Sequence, residues 1–118
     1  MYARRRKILK VDKEILRGYI DTIILSLLYQ TDLYGYDLSK EVKKKSQDSF
    51  EIKEGTLYLA FKRLESNGYV TSYWQEGSTA ARRKYYHLTN SGRAYLNYKK
   101  KEWLFMKQLM DQFLEGVE

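Results

Sequence analysis

The 118-residue sequence predicts a mainly α fold of the α+β class. Three observations predict it. Helix-period apolar patterns fill most of the chain up to Ser66, two β-branched and aromatic runs flank a small-residue turn, and one long helical pattern closes the chain. The predicted order is helix, helix, helix, hairpin, long helix. No proline, low-complexity tract or internal repeat interrupts it.

Each element has its own signal. Asp12 is placed to cap a first helix, with Glu14 in its first turn. Leu16, Ile20, Ile23 and Leu27, with Ile24 and Leu28 beside them, form one wide stripe that must be buried. A second face of the same helix reads Ile15, Gly18, Thr22, Ser26, small and weakly polar. Asp32-Leu33-Tyr34-Gly35 ends it. Leu38 and Val42 mark a short second helix closing on Lys43-Lys44-Lys45, cations suited to a helix C-terminus. Phe50-Glu51-Ile52 reads as a short bridging strand. A third helix starts near Lys53-Glu54. It turns Leu57, Phe61 and Leu64 inward and Thr56, Leu59, Lys62, Arg63 and Ser66 outward, with Tyr58 at the boundary. Asn67-Gly68 stops it. Residues 69–74 and 82–88 read as strands joined through Gly77-Ser78-Thr79-Ala80. Thr89-Asn90-Ser91 opens the last helix. There Trp103, Met106, Met110, Phe113 and Val117 alternate in threes and fours, the spacing of a coiled-coil seam.

Composition narrows the function. With no cysteine and a single histidine, His87, the chain lacks disulfides, thiolate zinc sites, cysteine nucleophiles and histidine metal clusters. No glycine-rich phosphate loop or paired-carboxylate motif is present, so no enzyme, cofactor or metal is expected. Twenty-two Lys and Arg against fifteen Asp and Glu leave a net charge of +7 and a pI near 9.5. That surplus points to a polyanion, most simply nucleic acid, with an anionic membrane surface as the lesser option. The basic start is followed by no signal-peptide core. The most apolar run, residues 20–29, is half a membrane span and carries Asp21. A soluble, cytoplasmic protein with no membrane partner is expected.

Three short helices and a hairpin are the element order of a winged helix-turn-helix, here residues 12–88. A basic arm (1–11) precedes it, and a dimerisation helix (89–118) follows. In such a fold the third helix offers its polar face to the major groove and the hairpin reaches the backbone. Candidate DNA contacts are Thr56, Tyr58, Lys62 and Arg63 on the third helix and Arg82, Arg83 and Lys84 on the wing. Taken singly, each group reads as ordinary charged surface, and Arg63 fits equally well as the partner of Glu65 or of a carboxylate on a neighbouring helix. Arg4 and Arg5 fit a minor-groove arm or a solubilising tail.

The stretch Gly55-Thr56-Leu57-Tyr58, continuing to Arg63-Leu64-Glu65 and Gly68-Tyr69, resembles the recognition-helix signature of PadR-type transcriptional regulators. Leu16-Arg17-Gly18 with Asp21, Tyr34-Gly35-Tyr36, and Arg82-Arg83-Lys84-Tyr85-Tyr86 with Leu88-Thr89 and Gly92 match the other family blocks in order. The resemblance covers roughly residues 12 to 96, and the single C-terminal helix resembles the compact subfamily. Leu59 departs from the pattern, since many members carry proline after the tyrosine. The resemblance implies a homodimeric repressor of an inverted-repeat operator whose DNA binding a small molecule weakens. It adds Tyr36 and Ser39 as candidate phosphate contacts.

The seam from Trp103 to Val117 has no intrachain partner long enough to cover it, so a second copy is expected there. Where that helix starts to meet its partner, Trp103 faces the small residues Ile15, Gly18, Thr22 and Ser26. At the twofold axis a cleft for a planar aromatic guest is expected there, with Trp103 from each subunit as its walls and Asp21 at its edge favouring a cation. The competing arrangement packs both tryptophans in a dimer core. The competing functions are a winged-helix protein-interaction module and a nonspecific nucleic-acid binder.

Overall fold

A computed structural model describes residues 13–76 and 81–118. In chain order they form α1 (Lys13–Arg17), α2 (Ile20–Gln30), β1 (Leu33–Tyr34), α3 (Gly35–Lys45), α4 (Glu54–Ser66), β2 (Val70–Glu76), β3 (Arg82–Leu88) and α5 (Asn90–Leu114). Asp12, the arm with Arg4 and Arg5, and the turn at residues 77–80 lie outside the described residues. The expected order holds: three helical regions, a β2–β3 hairpin as wing, and one long C-terminal helix. The antiparallel sheet runs β1-β3-β2.

Three details differ from the sequence reading. The first helix is broken at Gly18-Tyr19. There the backbone bonds shorten to Gly18 N–H on Ile15 O and Tyr19 N–H on Leu16 O, the tighter i to i−3 pattern. Glycine's poor helix propensity makes that the cheapest place to bend. Secondly, the Asp32-Leu33-Tyr34-Gly35 break contains β1, whose Leu33 and Tyr34 lie opposite Tyr86 and Tyr85. Thirdly, Phe50-Glu51-Ile52 is no strand. Ile52 is buried and Phe50 partly buried, so the segment is fixed to the core by side chains rather than by a ladder.

The core collects one face of each element. Ile20, Ile24, Leu25, Leu27 and Leu28 come from α2, and Leu38 and Val42 from α3. Leu57, Ala60, Phe61 and Leu64 come from α4, and Val70, Tyr86 and Leu88 from the sheet. Phe61 and Tyr86 stack in parallel with centroids 3.7 Å apart, locking α4 to the wing. Beyond Leu96 the chain leaves this core. Most of α5 from residue 100 onward is exposed.

Two turns position the wing and α5. Gly68, at φ +77°, closes α4, with its N–H on Glu65 O and the Tyr69 N–H on Leu64 O. Both bonds satisfy carbonyls that the helix end would otherwise strand. The Thr89 hydroxyl then caps α5 by accepting from the Gly92 N–H at 3.0 Å, and donates to Gly68 O at 2.7 Å. This brings α5 so close to β2 that a Cβ on Gly92 would run into the Tyr69 carbonyl and the Leu88 side chain. Gly92→Ala is therefore expected to lower the unfolding free energy by about 3 kcal/mol, since the backbone cannot yield. Gly55→Ala, where a Cβ meets nothing within 4 Å, is expected to be neutral or mildly stabilising. Urea denaturation of the two variants checks the contrast.

Candidate functional site

Helix α4 turns Leu57, Ala60, Phe61 and Leu64 inward and leaves Thr56, Tyr58, Leu59, Lys62 and Ser66 on its outer side. Tyr58 is 59% exposed, too open for a residue kept for packing, and the Lys62 ammonium lies 5.6 Å from its ring centroid. Two tethers fix the roll of the helix. On one flank Arg63 donates twice to the Asp21 carboxylate of α2, through Nε at 3.1 Å and through Nη2. On the other, the Ser72 hydroxyl of β2 donates to Glu65 at 2.6 Å.

The first tether revises two expectations. Arg63 does not extend as a free cation; it holds the neighbouring-helix carboxylate that was its alternative. The Asp21 hydrogen bonds in turn raise the Arg63 pKa. Asp21 is accordingly not at the edge of the α1–α2 cleft.

On the wing, Arg82, Arg83 and Lys84 do not act as one block, because successive strand residues face opposite sides. Arg82 and Lys84 share a face with Tyr86 and, across the ladder, with Trp74 and Ser72. The Arg82 guanidinium lies 4.9 Å from the Trp74 ring centroid and the Lys84 ammonium 6.0 Å from it. Since Tyr86 and Ser72 meet α4, this cation–tryptophan blade continues outward from the α4 side. Arg83 lies on the opposite face, 4.7 Å from the Tyr34 ring. It thus joins the start of α3, where Tyr36 is exposed, Ser39 is half-buried and Lys40 lies 5.3 Å from the Tyr36 ring. The contributions of Trp74, Tyr34 and Lys40 were missed in the sequence; the first was legible from the register of alternating strands.

His87 takes no position for catalysis. Its Nδ1 lies 2.8 Å from one Asp32 oxygen, and the Tyr73 hydroxyl donates to the other at 2.7 Å. Burial acts to raise the Asp32 carboxyl, but the hydrogen bonds from Tyr73 and His87 and the His87 charge outweigh it and hold the pKa below the usual value. The same hydrogen bond, burial and the Asp32 charge push the Tyr73 phenol up to about 12. The network ties the root of the wing to the end of α2.

The chain matches the transcriptional regulator PadR-like family over residues 24–98. The chain belongs to the PadR-like family of transcriptional regulators. A transcriptional regulator from Clostridium thermocellum is 45% identical, with a TM-score of 0.81 over 89% of this chain and 99% of that one. A PadR family transcription regulator from Clostridium difficile is 49% identical, with a TM-score of 0.72 over 82% of this chain and 99% of that one. The negative transcriptional regulator PadR of Bacillus subtilis is 31% identical over 85 residues, 72% of this chain but only 44% of that protein. PadR-like proteins are transcriptional regulators rather than enzymes, and DNA is their partner. No described helix of this PadR-like chain is long and apolar enough to cross a membrane.

The structure also brings together five of the six residues expected to form a cleft. Ile15, Gly18, Thr22, Ser26 and Trp103 line one groove of about 930 Å³, with Asp21 left out. Tyr19 stands edge-on to Trp103, centroids 5.9 Å apart at 87°. The rim includes Lys45, Lys99, Lys100 and Glu102, which the sequence reading did not place there.

The Asp32 network sets a pH dependence with a defined sign. A lowered Asp32 pKa stabilises the fold above about pH 4 and fades as pH falls through the folded value. A raised Tyr73 pKa stabilises it below about pH 10 and fades as pH rises toward 12. Asp32→Asn is expected to bring the Tyr73 ionisation back toward about pH 10, read from the Cζ resonance of isotopically labelled tyrosine. An unmoved Tyr73 midpoint would mean that the hydrogen bond is not the cause.

Proposed function

We propose that this regulator is a homodimeric repressor. It binds an inverted-repeat DNA operator through α4 and the wing, and a small planar ligand in the groove releases it. The observation that carries the reading is the division of the exposed surface. Thr56, Tyr58 and Lys62 of α4 adjoin the Arg82–Trp74–Lys84 blade, whereas the far half of α5 is apolar and uncovered. Tyr58 and Thr56 supply hydrogen-bonding groups for base edges. Arg82, Lys84 and Lys62 supply phosphate contacts, with Arg83, Tyr36 and Ser39 as a second set at the start of α3. Arg63 contributes by orienting α4 through Asp21.

On α5, Trp103, Met106, Met110 and Phe113 are 41–73% exposed; Val117, which the sequence reading put on the same helix, is also exposed but lies past the helix end at Leu114. Leu104, Phe105 and Leu114 are exposed too, so the apolar surface is wider than the simple seam. A second copy covers such a surface through a twofold axis. It sets two α4 helices about one DNA turn apart.

Labelled duplex carrying an inverted repeat tests the DNA half. If a dimer neutralises ~6 to 8 phosphates, log affinity falls with log salt at a slope near −5 to −7. Tyr58→Ala is expected to cost about 1–3 kcal/mol and to relax base preference, whereas Arg82→Gln weakens all sequences about equally. Equal affinity for scrambled duplex would overturn the reading. Ending the chain after Leu96 is expected to give a monomer in sedimentation, with operator affinity lost and the winged-helix core still folded. A truncated protein that stayed dimeric would place the interface elsewhere.

A further inference from the structure

What holds a cation decides whether its charge is free to act. Arg17 and Arg63 lie against carboxylates, those of Glu14 and Asp21. Lys40, Lys62, Arg83 and Arg82, all on the proposed DNA-facing side, lie instead over the rings of Tyr36, Tyr58, Tyr34 and Trp74. Among the described residues none of these four makes an ion pair. A carboxylate cancels the charge it holds. A ring face holds a cation and leaves its charge available to a phosphate. The arrangement is not confined to this side, since Arg93 lies over Tyr29. Trp74 is set apart because it holds two cations, Arg82 and Lys84.

Trp74 is 55% exposed and belongs neither to the core nor to the side chains packed against it. Among the described residues it pairs with no other ring. Packing of the fold does not account for it. In the ladder Trp74 stands opposite Lys84 and Glu76 opposite Arg82, all four on one face of the wing. Directly opposed residues are the near pair, and opposite charges there attract. By register, then, Glu76 is the natural partner of Arg82. The guanidinium nevertheless lies on the diagonal, 4.9 Å from the Trp74 centroid, and makes no ion pair with Glu76. A flat guanidinium stacks on an indole face more readily than an ammonium does.

We propose that Trp74 is the positioning residue of the wing: its indole keeps the Arg82 guanidinium off Glu76, so that a phosphate contact is set before DNA arrives. The inference rests on the reading of Arg82 as a phosphate contact. A long arginine already held on a ring has less rotamer freedom to lose when it binds. Without the indole, Arg82 relaxes onto Glu76 and its charge is cancelled. Lys84 depends on Trp74 less, because its ammonium also lies 5.7 Å from the ring of the buried Tyr86.

A double-mutant cycle read through salt dependence tests this. The probe is a labelled duplex selected by the full-length protein from a random-sequence pool, and urea denaturation checks the fold of each variant. Trp74→Ala is expected to weaken binding about tenfold and to make the log–log salt slope shallower by about 2, one phosphate for each protomer of a dimer. Trp74→Phe, which keeps a ring, is expected to retain the slope and most of the affinity. In an Arg82→Gln background Trp74→Ala is expected to cost less than about twofold more, whereas in a Lys84→Gln background it keeps its effect. Glu76→Gln is expected to recover more affinity in Trp74→Ala than it adds to the wild type. A Trp74→Ala loss with an unchanged slope, an equal loss with and without Arg82, or a Trp74→Phe variant as weak as Trp74→Ala overturns the positioning role and leaves Arg82 its phosphate. If Arg82→Gln alone changes neither affinity nor slope, the phosphate reading of Arg82 falls and the positioning role falls with it.

Discussion

The structure hangs on the fixed roll of α4. For α4 to read DNA as proposed, one face must be held inward so firmly that the other cannot rotate away. Here the hold has three points. Phe61 stacks on Tyr86 behind the helix, Arg63 grips Asp21 on one flank, and Ser72 grips Glu65 on the other. The stack supplies buried area with little direction. The two polar tethers supply direction with little energy, since Arg63 and Asp21 are partly exposed and such pairs are worth about 1 kcal/mol or less. Together they determine which residues point out. The stack also makes α4 and the wing one body, because Tyr86 sits in the strand that carries Arg82 and Lys84.

Helix α2 joins that body to the groove. Its inner face supplies Ile24, Leu25 and Leu28 to the core, and Asp21 reaches Arg63 of α4. Its other face carries Thr22 and Ser26 into the groove opposite Trp103. This eleven-residue helix is thus packed on one side and lines the groove on the other. At its far end, Asp32 binds Tyr73 and His87 at the root of the wing. Two short polar links thus join the ends of α2 to α4 and to the wing.

Much of this was legible in the sequence, and the failures have physical causes. The inward and outward faces of α4 follow from Leu57, Phe61 and Leu64, and its end from Asn67-Gly68, because both signals are local. The groove walls were legible because Gly18, Thr22 and Ser26 recur at helical spacing and Trp103 starts the apolar stripe of the last helix. β1 was not legible. Two residues, Leu33 and Tyr34, make no periodicity, and their partners lie more than fifty positions away. The Asp21–Arg63 pair spans 42 residues, so the sequence offered Arg63 a carboxylate without saying which. The lysine rim was hidden for the same reason, since Lys45 ends α3 and Lys100 lies on α5. Only the tertiary fold brings them to one opening.

The uncovered half of α5 follows from the size of the domain. A chain this short closes its core with few side chains, and the inner end of that core is already sealed by Leu88, Tyr95 and Leu96. Phe105, Met110, Phe113 and Val117 are therefore left exposed, whereas Trp103 still meets Tyr19 edge-on. A contiguous apolar surface of that length is costly in water and invites a partner. A twofold arrangement answers the cost in closed form, because the same stripe covers itself and no further copy can add. It also places Trp103, at the inner end of the stripe, beside both the groove and the proposed interface. The residue that senses a guest would then be the one that begins the contact between copies, so occupancy and the separation of the two α4 helices would be set at the same point.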